Sequence, residues 1–251
     1  MKQELAGVSR ETLRHMLVDA LPALGFGYPG FDDRGAGSYA LEGIVPLSEQ
    51  QIDALLDYVG LLLKWNKVYN LTAVRNPVDM LGLHILDCLS VQPVMRRVLN
   101  EKRAMCYSPA DETRPLSLLD VGAGAGLPGL VLAILNPDWS VTLVDAVQKK
   151  VAFMTQAIAQ LKLPNAKAVH GRIEQLQHTV FDAAISRAFS DLEPFVTLAL
   201  PHLSPHACLF AMQGKADDRL LPPFQQKILH RLSVPGLDAQ RHLLILDHRK
   251  D

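Results

Sequence analysis

Residues 117–135 constrain the fold of this chain more than any other stretch. Ser117-Leu118-Leu119-Asp120-Val121 is a short apolar run, Gly122-Ala123-Gly124-Ala125-Gly126 is a glycine turn, and Leu127 to Leu135 is apolar with helical character. Glycines at this density cost backbone entropy on folding, so the turn needs a return: a sharp bend and close approach of a ligand to the main chain. Strand, glycine turn and helix form the opening unit of an α/β sheet, and the rest of the chain continues in kind. Residues 139–146 read as a strand ending in an acid, 148–162 as an amphipathic helix, 166–171 and 181–188 as strands, 193–203 as a helix, and 207–213 and 241–248 as strands. Alternation of this sort predicts a mostly parallel, Rossmann-like sheet covered on both faces. Beyond 217–230 no long crossover helix is evident between the final two strands, so the last strand is expected to run antiparallel.

The first hundred residues have a different pattern. Leu13, Met16, Leu17, Ala20, Leu21 and Leu24 recur at helical spacing within 8–24, and 25–43 is rich in Gly, Asp and Pro and reads as a loop. Ser48 and Gln51 form a capping-box pair at the head of a helix whose apolar stripe is Ile52, Leu55, Leu56, Val59, Leu62 and Leu63. A further helix is expected over 77–99, with Pro77 in its first turn. The expected organisation is a helical N-terminal extension (1–99) packing on the core, a surface loop (100–116) and an α/β core (117–251).

Asp145 stands at the end of the second strand, where a carboxylate can accept hydrogen bonds from both hydroxyls of a ribose. Two nucleoside ligands share that requirement. Gly124, Gly126 and Gly129 fit the dinucleotide spacing G-x-G-x-x-G. Asp120, just before the glycines, discriminates. A carboxylate there repels a pyrophosphate but attracts the ammonium or sulfonium of S-adenosylmethionine (SAM), so SAM is the favoured ligand over NAD.

Charge and cysteine content exclude several classes. Across 251 residues the formal net charge is −1, unlike the strongly basic balance of proteins that grip naked nucleic acid. Cys88, Cys106 and Cys208 are scattered, which argues against a disulfide framework and against a metal site. The opening residues are too polar for a signal peptide, and no apolar run reaches the ~20 residues of a membrane span. A cytoplasmic monomer with no membrane contact is the expectation.

Several motifs, in order, carry a resemblance: Lys64-Trp65-Asn66-Lys67-Val68-Tyr69-Asn70-Leu71-Thr72, His84-Ile85-Leu86-Asp87, the run Asp120 to Gly129, Leu143-Val144-Asp145, Gly171-Arg172-Ile173-Glu174 and Ser186-Arg187-Ala188-Phe189. From about Ser48 onward the chain resembles the glucose-inhibited division protein B family of small-subunit (16S) ribosomal RNA guanine-N7 methyltransferases. The resemblance implies the fold of SAM-dependent methyltransferases, with SAM contacts at Gly122, Leu127, Ile173, Glu174 and Arg187 and Asp145 as the ribose partner. Asp120, Gly124 and Gly126 complete the cofactor loop. It also implies small-subunit ribosomal RNA as the partner, which the near-neutral charge suggests is met within an assembled or assembling subunit. The chain departs from the family in the run Asp145-Ala146-Val147-Gln148-Lys149-Lys150, in Gln213-Gly214-Lys215, and in a longer N-terminus and 100–116 segment.

Candidate RNA contacts are Lys64, Asn66, Lys67, Asn70, Arg75 and Lys215, with further cations at Arg96, Arg97, Lys102, Arg103, Arg249 and Lys250. Asn66 and Asn70 equally suit the closing of a helix end, and Trp65 suits a core. Arg187 follows a strand at the carboxyl edge of the sheet and is the candidate positioning group for the reaction, against the alternative of a structural ion pair. His84 and Asp87, three apart, are expected to brace one helix face as a pair. Guanine N7 holds an in-plane lone pair, so its methylation needs positioning and no general base. Other acceptors on the same fold, a NAD-dependent oxidoreductase, and a non-catalytic RNA-binding module remain as alternatives.

Overall fold

Among the described residues seven strands make one sheet, and nearly every one is apolar on both sides. In this computed structural model, residues 4–5, 7–27, 46–106, 114–176, 179–187, 191–217, 219–224 and 226–247 are described. The strands are β1 (Leu116–Val121), β2 (Trp139–Asp145), β3 (Ala166–His170), β4 (Phe181–Ser186), β5 (Leu203–Gln213), β6 (Gln226–Leu232) and β7 (Arg241–Asp247). Their order across the sheet is β3-β2-β1-β4-β5-β7-β6. The first five are parallel, and β7 is antiparallel to both β5 and β6. The antiparallel last strand expected from the sequence is therefore present, inserted between β5 and β6. Strand β6 was missed: it falls where the sequence suggested only a connection.

Leu118, Leu143, Ala183, Phe210 and Leu243 belong to one hydrophobic cluster, and their neighbours Leu119, Val144, Ala184, Ala211 and Leu244 to a second. Period-two alternation thus feeds two cores, which is why the strands read as continuous apolar runs.

The helices are α1 (Arg10–Ala20), α2 (Glu49–Tyr69), α3 (Pro77–Cys106), α4 (Gly129–Leu135), α5 (Gln148–Leu161) and α6 (Leu192–Ala199). The N-terminal helices share the first core with α4 and α5, while α6 covers the other face. The capping box forms as the sequence suggests, with Gln51 N–H donating to Ser48 Oγ (3.2 Å) and Ser48 N–H donating to Gln51 Oε1 (2.9 Å). Residues 28–45, which hold most of the expected 25–43 loop, lie outside the described residues.

Helix α3 differs from its expectation. It begins at Pro77 as anticipated but continues to Cys106, so 100–106, read as loop, is helical. Asn100, Glu101, Lys102 and Arg103 are acceptable helix formers, and the prolines that suggested a loop come only at 109 and 115. Residues Leu81–Leu86 form a π-helical turn. By length and composition α3 is apolar enough to cross a membrane, yet 67% of its most apolar window is buried inside the protein, as in a core helix.

Candidate active site at the carboxyl edge of the sheet

Strands β1 and β4 are neighbours from which the chain departs toward opposite sides of the sheet, and the crevice beyond their carboxyl ends is where such sheets bind ligands. The loops after β1, β2, β3 and β4 open there. Ser186 at the end of β4 donates its hydroxyl to Val121 O at the end of β1 (2.8 Å) and pins the two ends together.

The glycine turn folds back over β2. Gly122 and Ala123 donate their N–H groups to Val144 O at 2.9 and 3.1 Å. Gly126 has φ +84°, and a Cβ there would lie 2.4 Å from Leu130 Cδ1. At Gly129, the first residue of α4, a Cβ would lie 2.6 Å from Asp120 Oδ2 and 2.8 Å from Leu143 Cδ2. Neither position admits a side chain unless Leu130, or Asp120 and Leu143, give way.

Asp120 lies deeper than the sequence implied. The carboxylate is fully buried under the turn, not presented to an open cleft. Oδ2 accepts the Gly129 N–H at the head of α4 (2.8 Å), whereas Oδ1 is buried with no hydrogen-bond partner among the described residues. Burial pushes its pKa up to about 7, against the pull of the Gly129 N–H and of the nearby Arg187 charge. Asp145 closes β2. Its Oδ2 accepts the Gly124 N–H (2.9 Å), its Oδ1 accepts the Val147 N–H (2.8 Å), and Lys150 Nζ stands 3.7 Å away. A carboxylate has about four acceptor sites, so capacity remains for two ribose hydroxyls. After β3, Gly171 N–H bonds Asp145 O (3.2 Å), Ile173 is buried and Glu174 exposed. An orphaned buried carboxylate oxygen, spare acceptor capacity on Asp145 and a turn closed to side chains all fit SAM.

Arg187 follows β4 and is held from α3. Its Nη1 donates to Leu83 O and to Asp87 Oδ2, both at 3.2 Å, and the other Asp87 oxygen accepts from Arg241 Nε at 3.1 Å. The ion-pair alternative is thus realised in geometry, with Arg187 still partly exposed. The expected His84–Asp87 pair is corrected by this arrangement: Asp87 faces two arginines. His84 instead contacts Thr72 Oγ1 through Nε2 (2.8 Å) and Leu83 O through Nδ1 (3.0 Å). A neutral ring with Nδ1–H donating to Leu83 O and Nε2 accepting from Thr72 satisfies both ends.

Burial, reinforced by the Arg187 charge, lowers the His84 pKa from 6.5 to about 4. Between those values the unfolded chain binds the proton that the folded chain refuses. The contribution is full above pH 6.5 and is lost as pH falls toward 4. Unfolding titrations at pH 7 and pH 4.5 should show His84→Asn losing less stability on acidification than the unaltered protein, by roughly 2 kcal/mol. Parallel losses would refute the assignment.

Three of the candidate RNA contacts are engaged at the end of α2, Asn66 buried and Asn70 and Arg75 exposed. Asn66 is 2% exposed; its amide donates to Val74 O (2.9 Å) and accepts from Thr72 N–H (2.9 Å), so it cannot read a base. Asn70 ends α2 in the left-handed region (φ 49°). Arg75 donates to Asn66 O (3.0 Å) and to Asn70 Oδ1 (2.7 Å), closing the same helix end. Trp65 stacks on Tyr69 and meets Phe153 edge-on, with centroids 5.1 and 5.6 Å apart. Lys64, Lys67 and Lys215 are exposed.

The cations further along α3 do not belong to this site. Lys102 pairs with Asp247, Arg103 donates to Arg114 O, and Arg96 reaches Asn136 Oδ1 (3.2 Å). Fifteen residues of helix separate Asp87 from Lys102, about 22 Å, which carries them to the amino edge of the sheet. Arg249, Lys250, Ala188 and Phe189 lie outside the described residues. Sequence reasoning also passed over Tyr58 of α2, whose hydroxyl donates to the Ala125 carbonyl within the glycine turn. Its one signal was a hydroxyl on the apolar stripe, between Leu55 and Leu62.

The sheet order with its inserted antiparallel strand, the glycine turn and the acid after β2 define a class: this protein is a SAM-dependent methyltransferase. The family model described as GidB, rRNA small subunit methyltransferase G, matches residues 51–244. A protein of Burkholderia multivorans named "Ribosomal RNA small subunit methyltransferase G" is 45% identical over 94% of this chain and 93% of its own length. A protein of the same name from Leptothrix cholodnii is 44% identical over 86% of this chain and 94% of its own. Among solved structures, a SAM dependent methyltransferase from Aquifex aeolicus is similar at 15% identity, over 68% of this chain and 93% of that one, with a TM-score of 0.44. The chain belongs to the GidB family of rRNA small subunit methyltransferase G proteins.

Proposed function

We propose that this enzyme methylates N7 of one guanine in small-subunit (16S) ribosomal RNA by in-line displacement, without a general base. The observation that carries the reading is the 45% identity, over 94% of the chain, to a relative whose name states that class of substrate. The chemistry of the site agrees with it.

When bound, SAM supplies a methyl group on a sulfonium. Gly122, Gly124, Gly126 and Leu127 would shape its bed, Asp145 would hold the ribose, and Ile173 and Glu174 would flank the purine. Asp120 acts from beneath the turn, through its charge and by fixing the Gly129 N–H. Arg187 holds a fixed positive charge at the crevice and positions the guanine. His84, the neutral imidazole beside it, has both nitrogens engaged. An acceptor that keeps its lone pair without losing a proton suits such a site.

Lys64, Lys67 and Lys215 form the RNA-facing set, with Arg75 contributing charge while its hydrogen bonds serve the helix end. Helix α2 passes Ala125 at Tyr58 and ends at Tyr69, so its cationic end lies beyond the carboxyl edge, and Lys215 follows β5 at the same edge. Ribosomal proteins within an assembled or assembling subunit would compensate for a net charge of −1. A cytoplasmic monomer is our reading.

Incubation with methyl-labelled SAM and small subunits lacking the modification, followed by digestion, should yield labelled 7-methylguanosine. Label in protein or in no product would sink the reading. Changing Lys64, Lys67 and Lys215 together to alanine should lower the steepness of the logarithmic salt dependence of subunit binding by about 2 to 3; an unchanged slope would remove them from the interface.

A further inference from the structure

The cofactor turn receives support from outside the sheet. Helix α2 touches the unit of turn and helix α4 at both ends. At one end the Gln51 side-chain amide donates to Ile134 O (3.1 Å) and Leu135 O (3.2 Å), carbonyls of the last turn of α4 that have no partner within the helix. At the other, the Tyr58 hydroxyl donates to Ala125 O in the middle of the turn. Tyr58 is fully buried, and its ring stacks on Phe153 of α5 with centroids 6.3 Å apart. A Cβ added at Gly126 would lie 3.4 Å from the Tyr58 oxygen. The phenol is thus fixed by packing on one side and meets the main chain of two turn residues on the other.

We propose that Tyr58 is a positioning residue for the cofactor: its hydroxyl holds the 122–129 turn in the shape that binds SAM, so that the helical extension is part of the SAM site. The proposal rests on the reading of that turn as the SAM bed. Gly122, Gly124 and Gly126 all lie at positive φ, and glycine backbone has wide conformational freedom. A turn so built keeps one shape only if something outside it restrains the peptide units. The β2 carbonyl Val144 O restrains its start and Asp120 its end. Ala125, in between, is restrained by Tyr58. Burial pushes the Tyr58 pKa well up, so the phenol remains a donor across the working pH range.

The consequence is a particular kinetic signature. Without the hydroxyl the turn spends less time in the binding shape, and apparent affinity falls by the fraction lost. Saturating SAM selects the binding shape again, so the rate at saturation is kept. Tyr58→Phe, which removes only the oxygen and leaves the ring on Phe153, should raise the SAM KM and Kd roughly 10-fold, the scale of one lost buried hydrogen bond. The kcat should stay within about twofold, and the KM for the ribosomal subunit should not change. In the SAM-free protein, amide hydrogen exchange over 122–129 should quicken while exchange in β5 and β7 stays as before.

A merely structural tyrosine would lower the melting temperature and leave the SAM KM and local exchange unchanged; that result overturns the proposal. A fall in kcat at unchanged KM also overturns it. Were the turn not the SAM bed, Gly126→Val in a protein that keeps Tyr58 would bind SAM as the unaltered protein does. That outcome removes the proposal together with the reading it rests on, and is told apart because Tyr58 is intact.

Discussion

Arg187→Ala should cut methyl transfer at saturating SAM by roughly 100-fold, the scale of removing one fixed charge from a reacting centre, in a protein that remains folded. The guanidinium is shared between structure and site. Nη1 is committed to Leu83 O and Asp87 Oδ2. Removing one partner of a buried ion pair ordinarily costs about 3 to 5 kcal/mol because the other is stranded. Here Arg241 still holds the opposite Asp87 oxygen, so the stability loss should fall at or below the lower end, about 3 kcal/mol. The decisive measurement is a single-turnover rate taken well below the variant's melting temperature. A pure ion-pair role predicts a lowered melting point with the rate intact; a positioning role predicts the rate lost in the folded protein. Arg187→Lys separates the parts further, since it keeps a cation but loses the guanidinium whose Nη1 reaches Leu83 O and Asp87 Oδ2 together.

That one residue shows how much the chain discloses by itself. Position after β4 at the carboxyl edge was legible from the apolar run 181–186 and the rules of parallel sheets. Its partner was not, because Asp87 lies 100 residues away in sequence and no local pattern links the two. Local chemistry was read well: the Ser48–Gln51 capping box, Pro77 at the head of α3 and the glycine turn each depend on neighbours within a few residues. Asn66, Asn70 and Arg75 were ambiguous for the same reason, since polar residues that close a helix end have the composition of those that meet RNA. Strand β6 was lost because it is an edge. Lys227, Ile228, Leu229 and His230 show no clean alternation, and Ile228 and Leu229 are exposed at 54% and 38%. Pairing with β7, not burial, makes that strand. The sequence reading brought Asp120 to the right place for the wrong distance: the motif locates it at the turn, but only the packing of Leu143 and α4 above it shows that it is sealed in.

Sealing in a carboxylate makes Asp120→Asn a variant expected to gain stability and lose function. Asparagine keeps an acceptor for the Gly129 N–H and drops the charge. With a folded pKa of about 7 against 3.8 unfolded, the native state binds the proton more tightly than the unfolded chain between those values. The contribution of Asp120 is therefore most favourable below pH 3.8, declines as pH rises, and is fully lost above pH 7. At pH 8 the buried charge costs on the order of 4 kcal/mol, and the asparagine variant should melt roughly 8 to 16 °C higher than the unaltered protein. At pH 5 most of that gap should close. SAM carries positive charge, so the same substitution should weaken its binding about 10-fold at pH 8. It should also abolish the proton release that accompanies binding to the unaltered protein near pH 6.5, read by calorimetry in buffers of different ionisation enthalpy. A variant less stable than the parent at pH 8 would mean the charge is compensated in the fold and not held for the ligand. A gain in stability with a loss of affinity would identify Asp120 as an acid kept at a folding cost for the cation that binds above the turn.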